Sequence, residues 1–307
     1  MFRPKGIYPA LLTPFDDTQR VNEAELRKLL DFGIDRGLDG IFPISSVGEG
    51  IHMDFDEKCR CMDIVVDQVN GRVPVIPGVV ASAPAECVKL AQFAASIGCA
   101  AVLVTPPYFY KPGGAMVERF FETIIEDCGL PVILYNIPLF TSPLDYDMVK
   151  RLVRYPNVVG MKDSSGSMVD FMHFMDKIAI AGEDISMLTG REETLLACLL
   201  MGADGCMTAT AGIFPEIMVG IYKAWQEGDL DKALKLQKMI LVVIRTMFAA
   251  PFPIGFKLAL ELRGIQMGPP LIPPSAADTY QINTVKSRLK MLMEPMIEKH
   301  CTVLETA

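Results

Sequence analysis

Eight times along this chain a short run of β-branched and apolar residues is followed by a longer stretch of helical period, and few folds accommodate that alternation. The strand candidates are GIYPALLTPF from Gly6, GIFPISSV from Gly40, VPVIPGVV from Val73, AAVLVTPP from Ala100, PVILYNIP from Pro131, VVGMKD from Val158, SMLTG from Ser186 and GCMTAT from Gly205. Between them lie amphipathic stretches such as NEAELRKLLDFGIDRG and AMVERFFETIIEDCG. Several open on Asn, Asp or Ser and several end in Gly, which are helix cap signals. Sequential parallel strands need helical crossovers, and eight βα units can close on themselves. The pattern therefore predicts an α/β fold, a (β/α)8 TIM barrel over residues 1–228. From 229 to 307 the chain reads as further helices without a second core, so a C-terminal helical extension packed on the barrel is expected.

Composition narrows the function classes. A share of 50% hydrophobic and 21% charged residues suits a large buried core. The formal net charge of −8 supplies no basic footprint for nucleic acid or an anionic membrane, so neither partner is expected. The opening MFRPKGIYPALLTPFDD has its apolar stretch interrupted by Pro9 and Pro14, and MILVVI before Arg245 is far too short to span a bilayer. A soluble cytoplasmic protein is the expectation. The eight cysteines form no CxxC pair and the three histidines are distant from them, which predicts buried reduced thiols and no metal site.

In barrels of this kind the reacting groups gather where the strands end. Lys162 lies at the end of an apolar run, VVGMKDSSG, where burying an unpartnered ammonium is costly. Such a lysine either reaches water or is placed there for its chemistry. Strand alternation puts Val158, Gly160 and Lys162 on one side, with small Gly160 expected to leave room for the long side chain. Tyr135 falls at the matching end of the preceding strand, so parallel neighbours would bring phenol and amine together. An amine held partly dry attacks a ketone to form a Schiff base, and the iminium acts as an electron sink while a phenol shuttles the proton. The turn SSVGEG at 45–50 offers hydroxyls and amides suited to a carboxylate, although Ser/Gly turns are common.

Taken together, these segments resemble the dihydrodipicolinate synthase and N-acetylneuraminate lyase family of class I pyruvate-dependent aldolases. The matching features are GIYPALLTPF, the SSVGE turn, VPVIPGV, TPPYFYKP, LPVILYNIP, VVGMKDSSG, LLMGADGCMTAT and PFPIGFKLALELRG, in family order across nearly the whole chain. The resemblance implies Lys162 as the Schiff-base lysine, Tyr135 as the proton shuttle and Ser45, Ser46 and Val47 as the carboxylate turn. It implies no cofactor beyond the covalent lysine. The partners it implies are pyruvate or another 2-oxo acid and an aldehyde, handled by a homotetramer. Phe140, Glu192 and Met207 become candidate substrate contacts, with Tyr108, Phe109 and Tyr110 as candidate relay or interface residues.

Departures from the family pattern carry information. The second turn hydroxyl is replaced by Val47, which offers only its amide, leaving Ser45 as a possible substitute. Phe109 stands where a tyrosine is often donated across the subunit interface. After the YN-x-P motif, Leu139-Phe140-Thr141-Ser142 lacks the arginine that true dihydrodipicolinate synthases use for aspartate semialdehyde, which disfavours that condensation. In TGREE, Glu192 could contact a hydroxylated tail and Arg191 a second carboxylate. The leading expectation is a lyase that cleaves or forms a 2-oxo-3-deoxy acid of the sialic acid or 2-keto-3-deoxygluconate kind. A dehydratase or deaminase on the same lysine, a dihydrodipicolinate synthase and a catalytically silent ligand-binding relative are the alternatives.

Overall fold

The computed structural model describes residues 2–301 of the chain. Six parallel strands form one sheet: β1 (Gly6–Pro9), β2 (Val102–Val104), β3 (Val132–Asn136), β4 (Val158–Asp163), β5 (Ser186–Thr189) and β6 (Gly205–Thr208). Their spatial order is β1-β6-β5-β4-β3-β2. Every residue of these strands is buried, as expected when a parallel sheet is covered on both faces. Helices supply the outer cover, and their starts follow the cap signals. Asn22, Asp54, Asp145, Ser167 and Asp229 each accept a backbone N–H with the side chain, a contact worth about 1 kcal/mol.

The expected second and third strands pair only at single bridges. Residues 40–47 and 73–80 contribute isolated parallel bridges, Ala10 to Phe42, Ile41 to Val75 and Gly78 to Leu103, with no continuous ladder. Proline has no N–H to donate, and Pro43, Pro74 and Pro77 fall within these two segments. Ile44 also leaves the extended region, with φ +55, and opens the 45–50 turn. The hydrogen bonds that remain still tie these segments to the edge strands: Leu11 N donates to Phe42 O at 2.8 Å and Val79 N to Leu103 O at 3.0 Å.

Past residue 229 the main helices are Leu230–Met247, Ile254–Leu262 and Thr279–His300. The first packs on the helix Pro215–Gln226 and the last two pack on each other. Gly255 allows the second helix to begin against the end of the first, because a Cβ there would lie 1.9 Å from Met247 O. That close approach sets the position of the 248–253 connection, which carries two phenylalanines toward the strand ends. None of the described helices is long and apolar enough to cross a membrane.

Candidate active site

An open cavity of about 60 Å³ lies at the ends of β3, β4, β5 and β6. The strand register builds its floor. Tyr135 on β3 is the direct partner of Lys162 on β4, and the next pair is Asn136 with Asp163. Because side chains alternate, the two pairs take different roles. Tyr135 and Lys162 line the cavity, both almost fully buried, while Asn136 and Asp163 brace the strand ends. Asn136 Nδ2 donates to Asp163 Oδ1 at 2.7 Å, and Ser165 Oγ to Asp163 Oδ2 at 2.7 Å. Burial nevertheless pushes the Asp163 carboxyl above the ordinary range, against the pull of those hydrogen bonds.

The Lys162 ammonium nitrogen sits 4.0 Å from the centroid of the Tyr135 ring and 4.6 Å from that of Phe42. Those rings cover the amine on two sides. Room for the lysine stem comes from Gly190 at the end of β5. A Cβ on Gly190 would lie 2.6 Å from Lys162 Cε and 1.9 Å from Ser164 Oγ. At Gly160, where the sequence suggests that space, a Cβ would instead meet Ser186 O at 3.1 Å, and no Lys162 atom is among its nearest neighbours. The same geometry brings in Ser164, whose buried hydroxyl has no hydrogen-bond partner within the described residues and which lines the cavity. Its place at the end of the Lys162 strand, where reacting groups gather in such barrels, is the sequence signal for it.

The 45–50 turn divides its polar groups between structure and cavity. Ser45 Oγ donates to Leu11 O at 2.9 Å and accepts from Gly48 N at 3.0 Å, so this hydroxyl pins the turn and Ser45 does not line the cavity. Ser46 and Val47 do line it, and within the described residues their amides donate no hydrogen bond. Two free amides beside an unpaired hydroxyl suit an anion. Glu49, with φ +61, turns away and forms a buried ion pair, its Oε1 2.8 Å from Lys257 Nζ, while Oε2 accepts from Leu271 N at 2.7 Å. Burial lowers the Lys257 pKa, and the attraction of Glu49 opposes that shift. The turn is thereby anchored to the helix Ile254–Leu262 and to the segment after it.

Glu192, Met207 and Phe140 also line the cavity, as the sequence suggests. Glu192 Oε1 accepts from both N and Oγ1 of Thr210 at 3.2 Å, and Gln237 Nε2 donates to its carbonyl at 3.0 Å. Arg191 pairs with Glu193 at 3.1 Å and lays its guanidinium over the Phe248 ring at 4.9 Å. Tyr108, Phe109 and Tyr110 are elsewhere: Tyr108 and Tyr110 line a separate surface hollow beside Met116, and Phe109 is exposed at φ +77. Absent from the sequence expectation, yet lining the cavity, are Phe248, Phe252 and Phe256. No spacing rule points to them, because the late helices reach the strand ends only through tertiary packing. Among the described residues no three His, Cys, Asp or Glu side chains converge as a metal site.

A model of the dihydrodipicolinate synthetase family matches residues 3–292. The chain is 34% identical over 294 residues to the 4-hydroxy-tetrahydrodipicolinate synthase of Methanopyrus kandleri, covering 95% of this chain and 97% of that one. It is 34% identical over 292 residues to the protein of the same name from Acidiphilium cryptum, covering 94% and 99%. Among solved structures, a prophage protein from E. coli belonging to the dihydrodipicolinic acid synthase family, crystallised in complex with pyruvate, superposes with a TM-score of 0.88 at 29% identity. That match covers 94% of this chain and 98% of the other.

Proposed function

The chain belongs to the dihydrodipicolinate synthetase family, and from that premise we propose that it is a pyruvate-dependent class I aldolase acting through a Schiff base on Lys162. It cleaves, or in reverse forms, a 2-oxo-3-deoxy acid bearing a hydroxyl on carbon 4. The observation that carries this reading is the Lys162 amine, buried at a cavity floor within 4.0 Å of the Tyr135 ring.

The steps follow from the donors present. The substrate carboxylate rests on the free amides of Ser46 and Val47. Lys162 Nζ adds to the 2-oxo carbon, and Tyr135 gives its proton to the departing hydroxide, leaving an iminium and a phenolate. The phenolate takes the proton of the 4-hydroxyl as the bond between carbons 3 and 4 breaks. An aldehyde leaves, and the electron pair forms the enamine. Tyr135 returns the proton to carbon 3, and water hydrolyses the iminium to pyruvate and free amine. Ser164, unpartnered beside Lys162, is placed to hold the 4-hydroxyl during this transfer.

The same reading takes the bridged segments 40–47 and 73–80 as the second and third strands of an eight-stranded barrel, with residues 229–307 as its helical extension. A cytoplasmic homotetramer is the assembly that fits the family. Condensation of pyruvate with a carboxylated aldehyde is the second reading, favoured by the names of the curated relatives. Against it stand Leu139 and Phe140 at the cavity, and an Arg191 already paired with Glu193.

The test is product analysis across 3-deoxy-2-oxo acids, with Lys162→Ala as the blank. Pyruvate plus an aldehyde in equal amounts supports the aldolase. Products that keep the full carbon skeleton would contradict it and point to a dehydratase.

A further inference from the structure

The wall of the cavity that faces the strand ends is built from phenylalanine. Phe140 and Phe252 have ring centroids 5.4 Å apart, Phe252 and Phe256 5.9 Å, and Phe248 and Phe256 4.9 Å, the last two pairs edge to face. All four line the same cavity as Lys162, with Leu139 beside them. Phe140 and Phe252 are 45% and 40% exposed, so the wall is open at the cavity mouth.

The uncharged polar groups lie elsewhere in the lining. Ser46, Ser164 and Thr208 sit at or near the strand ends, within the zone that must hold a carboxylate and one hydroxyl. Glu192 Oε1 accepts from Thr210, and Arg191 pairs through one nitrogen with Glu193 while its guanidinium lies on Phe248, so each is held by the protein at one point. A tail with several hydroxyls would lose water against four rings that offer no hydrogen bond, and unmatched polar groups are penalised on burial. A flat apolar tail would instead extend the edge-to-face cluster.

We infer that the aldehyde partner of this aldolase is aromatic or similarly apolar, so that the cleaved acid is a 4-hydroxy-2-oxobutanoate with an aryl group on carbon 4. This rests on the aldolase reading. In cleavage the bond between carbons 3 and 4 breaks, the aryl aldehyde departs with carbon 4, and the electron pair stays with the enamine on Lys162.

The test runs the reaction in the synthetic direction, with pyruvate and either benzaldehyde, glyceraldehyde or aspartate semialdehyde. Capture of pyruvate by borohydride is measured on every protein sample alongside. Benzaldehyde is expected to exceed glyceraldehyde in kcat/KM by roughly ten-fold or more, the scale on which an apolar pocket discriminates. Phe252→Ser and, separately, Phe140→Ser are expected to shrink that ratio. Both side chains are partly exposed, so neither change empties the core. Faster turnover of glyceraldehyde or aspartate semialdehyde by a protein that captures pyruvate would overturn the aromatic proposal alone. Absence of pyruvate capture would overturn the aldolase reading and this inference with it.

Discussion

The two walls of the cavity are made by different means. The floor comes from strand register: Tyr135 opposite Lys162, buried, with the next pair locked by Asn136 and Asp163. The rim comes from a loop after β3 and from the 248–256 region, and its rings are partly exposed except that of Phe256, which is buried. A parallel ladder fixes its side chains in relation to each other, whereas rings on loops and late helices can change without disturbing it. In the proposed function, covalent chemistry belongs to the rigid wall and choice of partner to the replaceable one.

That contrast breaks most sharply at Lys162. Lys162→Ala is expected to lower kcat by about 10⁴-fold or more, since no other group on the floor can form the imine. Steady-state pyruvate release checks this, with circular dichroism to confirm the fold. Tyr135→Phe keeps the ring beside the amine but removes the proton carrier, so kcat should fall about 10²–10⁴-fold. Stopped-flow trapping should then find imine formation slowed but still on Lys162.

Gly190→Ala probes the floor without touching a reacting atom. The new Cβ would crowd Lys162 Cε and Ser164 Oγ, and a misplaced amine is expected to cost about 10²-fold in kcat. Retained cooperative unfolding would separate this from collapse of the fold.

The Glu49–Lys257 pair joins the 45–50 turn to the helix Ile254–Leu262 behind the rim, and its loss should register in stability. Lys257→Met leaves a buried carboxylate alone, an expected destabilisation of about 3–5 kcal/mol in denaturant unfolding. The pH dependence has a definite sign. Burial holds the folded-state Lys257 pKa below its ordinary 10.5, so between the lowered value and 10.5 the unfolded chain binds more protons. This group therefore adds stability as pH rises through that window, and Lys257→Met should flatten the rise. The smallest effect belongs to the rim: Phe252→Leu should change KM for the aldehyde by about three-fold or less while kcat with saturating aldehyde holds, as one apolar side chain replaces another.

Legibility in the sequence followed the same division. The placement of Lys162 beside Tyr135 could be read because strand side chains have a period of two and consecutive parallel strands are neighbours. Two expected strands pair only at single bridges, since the runs containing Pro43, Pro74 and Pro77 cannot donate at those positions. Ser45 reads as a free hydroxyl, yet a short turn brings it to Leu11 O and Gly48 N. Gly190 and the three late phenylalanines act across elements distant in sequence from Lys162, where periodicity is silent.

The central claim is that Lys162 is the covalent centre. Borohydride reduction of the full-length protein with pyruvate, followed by peptide mass mapping, tests it most directly. One pyruvate-derived adduct per chain, on the peptide carrying Lys162, is the predicted result. An adduct on another lysine, or none on folded protein at saturating pyruvate, would contradict it.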